Sequence, residues 1–521
     1  MGLWSLYFFA KFFLYAGKYI DFHMWLNLGF AIFLVLPLRK RWLNIGRQII
    51  ALPAGIALLY HDSWLPPISR TLSQASTLQQ FDARYLLELL GRFINPMVIL
   101  VLVLMSLILA IAGRKLRLSS FVFVGIFSIA ALSWIVERHS RLPSAVATSA
   151  STPVESGAVP PDTALNTALQ NFYQSEAQRK TVFVRPVATS KPFDIIFLHI
   201  CSLGSDDLDL INEKNNALMN KFDVVFKQFN SAASYSGPAA IRLLRGTCGQ
   251  PKHADLYAPA PAECSTFNAL QGAGFQAEWL MNHDGHFGNF AADVSERGGL
   301  GVKMDDNTTA KIAMRSFDDT PIYDDADVLK QWVKNRANNN APQVALYYNT
   351  ISLHDGNHIP GTARLSINDG YRQRLDKLFN DFDGFITQLA QSGRRAVVVL
   401  IPEHGAALRG DRMQISGLRE IPTPDITLVP TAVKLVGFSA TTTAPLVIEQ
   451  PSSYLALTQL LANLVEHNPF EDSHPSLGDY THDLPQTMFV SENEGMVMMR
   501  QNGHNMLRNP DLSWSEYQSG R

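Results

Sequence analysis

The chain has 521 residues, too many for a single core, so two or more domains are expected. A formal net charge of -2 excludes the strongly basic balance of a protein whose main partner is nucleic acid. The balance is uneven: residues 1–142 carry 14 Lys and Arg against 5 Asp and Glu, and the remainder carries 30 against 41. A basic, apolar head on an acidic body predicts a membrane-anchored enzyme or binding domain.

The head, residues 1–137, reads as a transmembrane domain. Five apolar segments are expected, near residues 3–20, 23–38, 48–60, 94–112 and 121–136. About 20 apolar residues are needed to cross a bilayer, and only the fourth segment, with Met97–Ala112 free of charge, comes near an ideal span. The third is short and holds Pro53, and the first carries Lys11. Arg39, Lys40, Arg41 and Arg47 cluster after the second segment, and Arg114, Lys115 and Arg117 after the fourth. The positive-inside rule puts both clusters in the cytoplasm. Five spans then leave the N-terminus in the cytoplasm and everything after Val136 outside. Trp25, Trp42, Trp64 and Trp134 stand near segment ends, where indole rings favour the interface. Lys11 interrupts the first apolar run, which argues against a cleaved signal. Residues 61–93 are expected as an external loop, with the amphipathic Phe81–Phe93 lying on the membrane surface.

Residues 138–190 have the character of a linker. Ser144–Asp162 is rich in Ser, Ala, Thr, Val and Pro and lacks aromatic residues, and a short helix is expected around Thr163–Lys180.

The body, residues 191–521, opens with Asp194–Ile200, an apolar, β-branched run that predicts a strand ending at Cys201. Cys248 and Cys264 complete the set of three cysteines, and their place in one Pro/Gly-rich region nominates them as a pair in an oxidising compartment. Cys201 is then a small buried hydrophobe or, as a thiolate, a strong zinc ligand. In SYSGPAAIRLLR, Ala239–Arg245 predicts a helix with Pro238 in its first turn. Ser234, Ser236 or Gly237 falls at its start. A serine there is a cap or a nucleophile favoured by the helix dipole. Gly274–Asn282 predicts a strand leading to His283, Asp284 and His286, and Val344–Leu353 another leading to His354, Asp355 and His358. Val397–Ile401 is an unbroken apolar run, as in a strand buried on both faces, and stops at Pro402, Glu403, His404 and Gly405. Leu418–Leu435 is expected to be extended, with Arg419 at its start, and Ser453–Val465 to be an amphipathic helix.

Strands separated by helices predict an α/β body with a mostly parallel central sheet flanked by helices. In such sheets ligands bind at the carboxyl ends of the strands. Cys201, Ser236, Glu403 and His404 all fall there. They make one tetrahedral set, three protein ligands and a nucleophile oxygen in the open position, and thiolate with imidazole favours zinc over magnesium or calcium. This order fits phosphoryl or sulfuryl transfer, because no G-x-S-x-G elbow stands in the place acyl transfer requires.

The same residues carry a resemblance. The body resembles the phosphoethanolamine and phosphoglycerol transferase branch of the alkaline phosphatase superfamily. There a first strand ends in a metal ligand (here Cys201), a Ser or Thr nucleophile starts a helix (Ser236), one strand ends near a His (LHDGNH, His354), and a late strand ends in an acid–His pair (PEHG, Glu403 and His404). Cys in place of a carboxylate, Glu-His, and SYSGPAAIRLLRGTCGQ are similar to the cellulose phosphoethanolamine transferases of the bacterial cellulose synthesis system. That resemblance implies an alkaline-phosphatase-like fold, a single Zn2+, a Cys248–Cys264 disulfide, and an inner-membrane protein with a periplasmic catalytic domain beside the cellulose synthase complex. It implies phosphatidylethanolamine as donor and cellulose as acceptor, through a phospho-serine. His354 is then the expected proton carrier, and Tyr235 and Arg419 the phosphate holders. His283, Asp284 and His358 are weaker expectations for the headgroup. The rival readings are transfer to lipid A, a periplasmic glucan or water, and a scaffold subunit without catalysis.

Overall fold

The computed structural model describes residues 4–17, 20–38, 40–63, 91, 96–113, 117–140, 160–185, 191–362, 365–411, 413–438 and 444–517. Trp64, most of the 61–93 loop with Phe81–Phe93, and the Ser-rich linker core lie outside the described residues. The chain divides into two compact units.

The first unit is helical. Its elements are α1 (Trp4–Ala16), α2 (Met24–Val35), α3 (Arg41–Asp62), α4 (Pro96–Ala112) and α5 (Leu118–Ser140). Phe8, Phe30, Ala31, Leu34, Ala51, Val122 and Ile126 form its core. Gly55 and Gly125 let rings close on the backbone, because a Cβ at either would stand 2.7 Å from Trp4 or 2.6 Å from Phe12. All five apolar segments are helical, but their lengths differ from expectation. Among the described residues α3 is the one helix long and apolar enough to cross a membrane, not the fourth segment. The third segment is longer than its apolar stretch, because Asn44, Arg47 and Gln48 extend the helix to 22 residues and Pro53 sits inside it without ending it. The fourth runs 17 residues from Pro96.

Lys11 and Asp62 are both buried in this unit and pair with each other. Lys11 Nζ also donates to Asn27 Oδ1 at 2.7 Å, and Asn27 Nδ2 donates to Asp62 Oδ2 at 2.7 Å. A buried charge is tolerated when it is paired and hydrogen-bonded in this way.

The second unit is built on a seven-stranded sheet in the order β3-β6-β1-β7-β8-β2-β9. Its strands are β1 (Asp194–Ile200), β2 (Val224–Phe229), β3 (Gln276–Met281), β6 (Val344–Thr350), β7 (Ala396–Pro402), β8 (Thr431–Val436) and β9 (Leu446–Ser452); β4 (Ile312–Arg315) and β5 (Pro321–Tyr323) form a separate hairpin. β3, β6, β1 and β7 are parallel, β8 is antiparallel to both its neighbours, and β2 and β9 are parallel to each other. The sheet is therefore mixed. β1, β6 and β7 are buried at every position, which is why they read as unbroken apolar runs. Alternate residues feed two cores. Ile195 and Phe197 face one with Leu243, Leu244 and Leu457, and Ile196, Leu198 and Ile200 face the other with Trp332, Leu375 and Phe382.

The helix expected inside the linker is α6 (Asp162–Glu176). Its Leu165, Leu169 and Phe172 pack on Val490, Val497, Met499 and Met506 of a four-stranded antiparallel sheet, β10 (Val490–Asn493), β11 (Met496–Gln501), β12 (His504–Arg508) and β13 (Trp514–Glu516). Cys248 and Cys264 form a disulfide, and Cys201 is free and buried.

Candidate active site

Register brings the site together. Ile200 of β1 pairs with Thr350 of β6 and with Pro402 of β7, so Cys201, Ile351 and Glu403 leave the sheet at one rim. The N–H of Glu403 donates to the Ile200 carbonyl at 2.8 Å, and that of Leu203 to the His404 carbonyl at 2.7 Å, tying the two loops. Asp207 adds a clamp: its carboxylate accepts from the backbone N–H of Gly204 (2.9 Å), Ala406 (2.6 Å) and Leu408 (3.1 Å). Burial pushes the Asp207 carboxyl up to about 6.

Ser236 begins α7 (Ser236–Leu244), with Tyr235 at its N-cap. Its Oγ stands 3.4 Å from Cys201 Sγ and 3.3 Å from His404 Nε2. Cys201 Sγ is 4.0 Å from His404 Nε2, and His404 Nε2 is 3.8 Å from Glu403 Oε2. His404 Nδ1 lies 2.8 Å from the Gly405 carbonyl, which can only accept, so Nδ1 carries the proton and Nε2 offers its lone pair. Glu403 Oε2 is buried without a hydrogen-bond partner. Burial raises the Glu403 carboxyl, lowers the His404 imidazole well below its usual range, and with the Glu403 charge pushes the Cys201 thiol up to about 12. An acid, a base and a thiol are thus buried together, and the positive charge that reaches all three is that of Arg419. A zinc bound by ligands at about 2.0–2.3 Å in tetrahedral geometry has ligand–ligand edges of about 3.3–3.8 Å, close to the spacings seen here. The donor set fits that ion.

Arg419, also buried, donates from Nη1 to Ser202 Oγ at 3.4 Å and lies over the Tyr235 ring, Cζ 5.5 Å from its centre. Arg419 Nε has no protein partner. The Tyr235 hydroxyl donates to Glu420 Oε1 at 2.7 Å, an acceptor that did not stand out in sequence. His354 hydrogen-bonds from Nδ1 to the Asp355 carbonyl at 2.7 Å and rests against Phe317, ring centres 4.9 Å apart. Burial, with Arg419 adding to it, pushes its imidazole down to about 4, so His354 is neutral near pH 7 with Nε2 able to take a proton.

The weaker expectations separate. His283 is buried behind the sheet rim and bonded to Asn349. Asp284 is exposed and closes a turn by accepting from His286 N–H at 3.0 Å. His358 is exposed, with its backbone bridged to Arg315. Asn349, which the sequence reading does not single out, belongs to the site: its Nδ2 donates to Glu403 Oε1 at 2.6 Å. The available signal was a polar residue inside VALYYNTISL, an otherwise apolar buried strand.

Residues 149–514 match the family model described as the cellulose biosynthesis protein BcsG C-terminal domain, and residues 4–131 match its N-terminal domain model. The chain belongs to the BcsG family. It is 39% identical over 543 aligned residues to cellulose biosynthesis protein BcsG of Escherichia coli K12, covering 99% of this chain and 96% of that one. The BcsG of Salmonella typhimurium LT2 matches with the same identity and coverage. Among solved structures, a protein in the alkaline phosphatase superfamily from Vibrio parahaemolyticus aligns at TM-score 0.46 and 12% identity, over 67% of this chain and 87% of that one. In this BcsG-family chain Cys201, Ser236, Glu403 and His404 meet at the rim, with Arg419 and Ser202 alongside.

Proposed function

We propose that the chain is a zinc-dependent phosphoethanolamine transferase. It moves the headgroup of phosphatidylethanolamine to hydroxyls of nascent cellulose through a phospho-Ser236 intermediate. The observation that carries this reading is the cluster of Cys201 Sγ, Glu403 Oε2 and His404 Nε2, all within 4.8 Å of one another, with Ser236 Oγ at a helix start against them. Membership of a cellulose-biosynthesis family supports cellulose as the acceptor in this reading.

Cys201, Glu403 and His404 would hold the zinc, which when bound lowers the pKa of a nearby hydroxyl and polarises a phosphoryl oxygen. Ser236 Oγ attacks the lipid phosphorus and the diacylglycerol oxygen leaves. Neutral His354 takes the proton that Ser236 gives up and returns it to the leaving oxygen. In the second half a glucan hydroxyl gives its proton to His354 and attacks phospho-Ser236, whose oxygen recovers a proton as the phosphoethanolamine ester forms on the glucan. Arg419 holds the phosphoryl oxygens through its guanidinium fork, and Tyr235, whose hydroxyl is tied to Glu420, supports the guanidinium with its ring.

The inner-membrane, multi-pass placement with the second unit in the periplasm belongs to the same proposal. Ile45, Ile49, Ile56, Leu100, Val103, Leu107 and Ile108 are exposed on α3 and α4, an apolar surface suited to lipid. The Cys248–Cys264 disulfide suits an oxidising compartment. The cellulose synthase complex is the partner in this setting. The test uses a labelled phosphatidylethanolamine analogue and cello-oligosaccharide with the full-length protein. Wild type transfers label to the sugar and carries it transiently on protein, and Ser236→Ala does neither. Full transfer by Ser236→Ala would overturn the assignment.

A further inference from the structure

The proton inventory around Asn349 extends the site beyond its ligands. Asn349 stands in β6 between Met281 of β3 and His199 of β1. One end of its amide faces Glu403 Oε1 at 2.6 Å and the His199 carbonyl at 3.2 Å. The His199 carbonyl can only accept, so that end is the NH2 group. The other end, Oδ1, lies 2.8 Å from His283 Nε2. An amide oxygen only accepts, so Nε2 carries the proton. The remaining ring nitrogen, Nδ1, accepts from the Gly285 N–H at 3.1 Å, which requires it to be bare. His283 is thus a neutral imidazole in a single tautomer, 7% exposed, with both nitrogens occupied. Gly285 holds its amide in place with φ +70, and a Cβ there would meet Met281 at 2.7 Å.

We infer that His283 is a positioning residue for Glu403, acting through Asn349. The chain of donors runs from Gly285 through His283 and Asn349 to Glu403 Oε1. With that oxygen taken, Oε2 alone is presented to Cys201, Ser236 and His404. The inference rests on the reading of Glu403 as a metal ligand. It replaces a headgroup role for His283, whose buried ring has no free nitrogen to offer a substrate. Outer partners of metal-bound carboxylates and imidazoles fix ligand orientation, and losing one weakens metal affinity about 10- to 100-fold.

The test is zinc affinity of the full-length protein in detergent, measured by competition with a chromophoric chelator, beside the visible spectrum of the Co2+ form. His283→Ala and Asn349→Ala weaken zinc about 10- to 100-fold. Both alter the Co2+ ligand-field bands but keep the thiolate-to-metal charge-transfer band from Cys201. His283→Gln, whose amide NH2 can take the place of Nε2–H, recovers most of the affinity. At saturating zinc His283→Ala keeps the wild-type KM for lipid, whereas a headgroup contact would raise it. Wild-type affinity in His283→Ala, with zinc lost in Cys201→Ala, overturns the inference and leaves the metal reading standing. Zinc retained in Cys201→Ala overturns the metal reading itself. Should His283→Ala fail to fold, His283→Gln and Asn349→Ala carry the same prediction in opposite directions.

Discussion

Each unit buries a carboxylate beside histidine, and the two are treated differently. Asp62 in the helical unit has both oxygens engaged: Oδ2 by Lys11 and Asn27, and Oδ1 by His23 Nδ1 at 2.9 Å. Glu403 in the sheet unit has one oxygen engaged by Asn349 and the other bare, among a thiol and a neutral imidazole. Both Asp62 with His23 and His61, and Glu403 with Cys201 and His404, group ligand atoms closely enough for a metal. Only the second lacks a cation of its own in contact. A buried carboxylate that holds an ammonium is a structural tie, whereas one with no cation in contact is left able to take an ion.

That contrast predicts opposite signs on mutation. The largest effect is expected from Lys11→Met, which strands Asp62 and destabilises the protein by about 3–5 kcal/mol. Thermal unfolding in detergent reads it, and Lys11→Met combined with Asp62→Leu recovers most of the loss. An unchanged Tm in the single variant would break the comparison.

A buried base without a counter-charge forms an intermediate case. His253 is 8% exposed, its Nδ1 has no partner, and burial, aided by Arg242, pushes its imidazole down to about 4 from 6.5. Below pH 6.5 the unfolded chain takes this proton and the folded one does not, so stability is lost as pH falls from about 6.5 to about 4. Relative to His253→Gln, wild type should lose about 3 kcal/mol between pH 7 and pH 4. Parallel unfolding curves for the two proteins would contradict this.

A smaller effect of the opposite sign is expected at the candidate active site. Glu403→Gln keeps an oxygen for Asn349 and removes a buried charge that no cation contacts. The zinc-free protein should gain about 1–2 kcal/mol at pH 7 while losing its zinc site. Destabilisation instead would show that a protein cation already serves Glu403. The smallest expected effect is none: His23→Ala should leave metal stoichiometry unchanged, because the Lys11 ammonium already pairs with Asp62.

Much of this arrangement is legible in the sequence because it depends on strands buried on both faces. β1, β6 and β7 are continuous apolar runs, and the residues that follow them, Cys201, Ile351 and Glu403, inherit a common rim from parallel register. Ser236 is readable from Pro238 and the helix it starts. Other features depend on long-range pairing that local pattern does not encode. β8 runs against its neighbours although TAVKLV looks like any other strand. Local pattern does not reveal the β10–β13 sheet or its contact with α6, because the apolar partners of α6, Val490, Val497, Met499 and Met506, lie more than 300 residues away. α3 outruns its hydrophobic stretch because helix propagation needs only intact backbone bonds, not apolar side chains. Asn349 and His283 escape for a related reason: their meaning lies in which hydrogen faces which lone pair across three strands.

The central claim is that the rim of β1 and β7 holds one metal ion. Elemental analysis of the full-length protein, wild type beside Cys201→Ala, tests it most directly. The account predicts about one zinc per chain in the wild type and none in the folded variant. A folded wild type that takes up no zinc, or a Cys201→Ala protein that keeps it, would contradict the account.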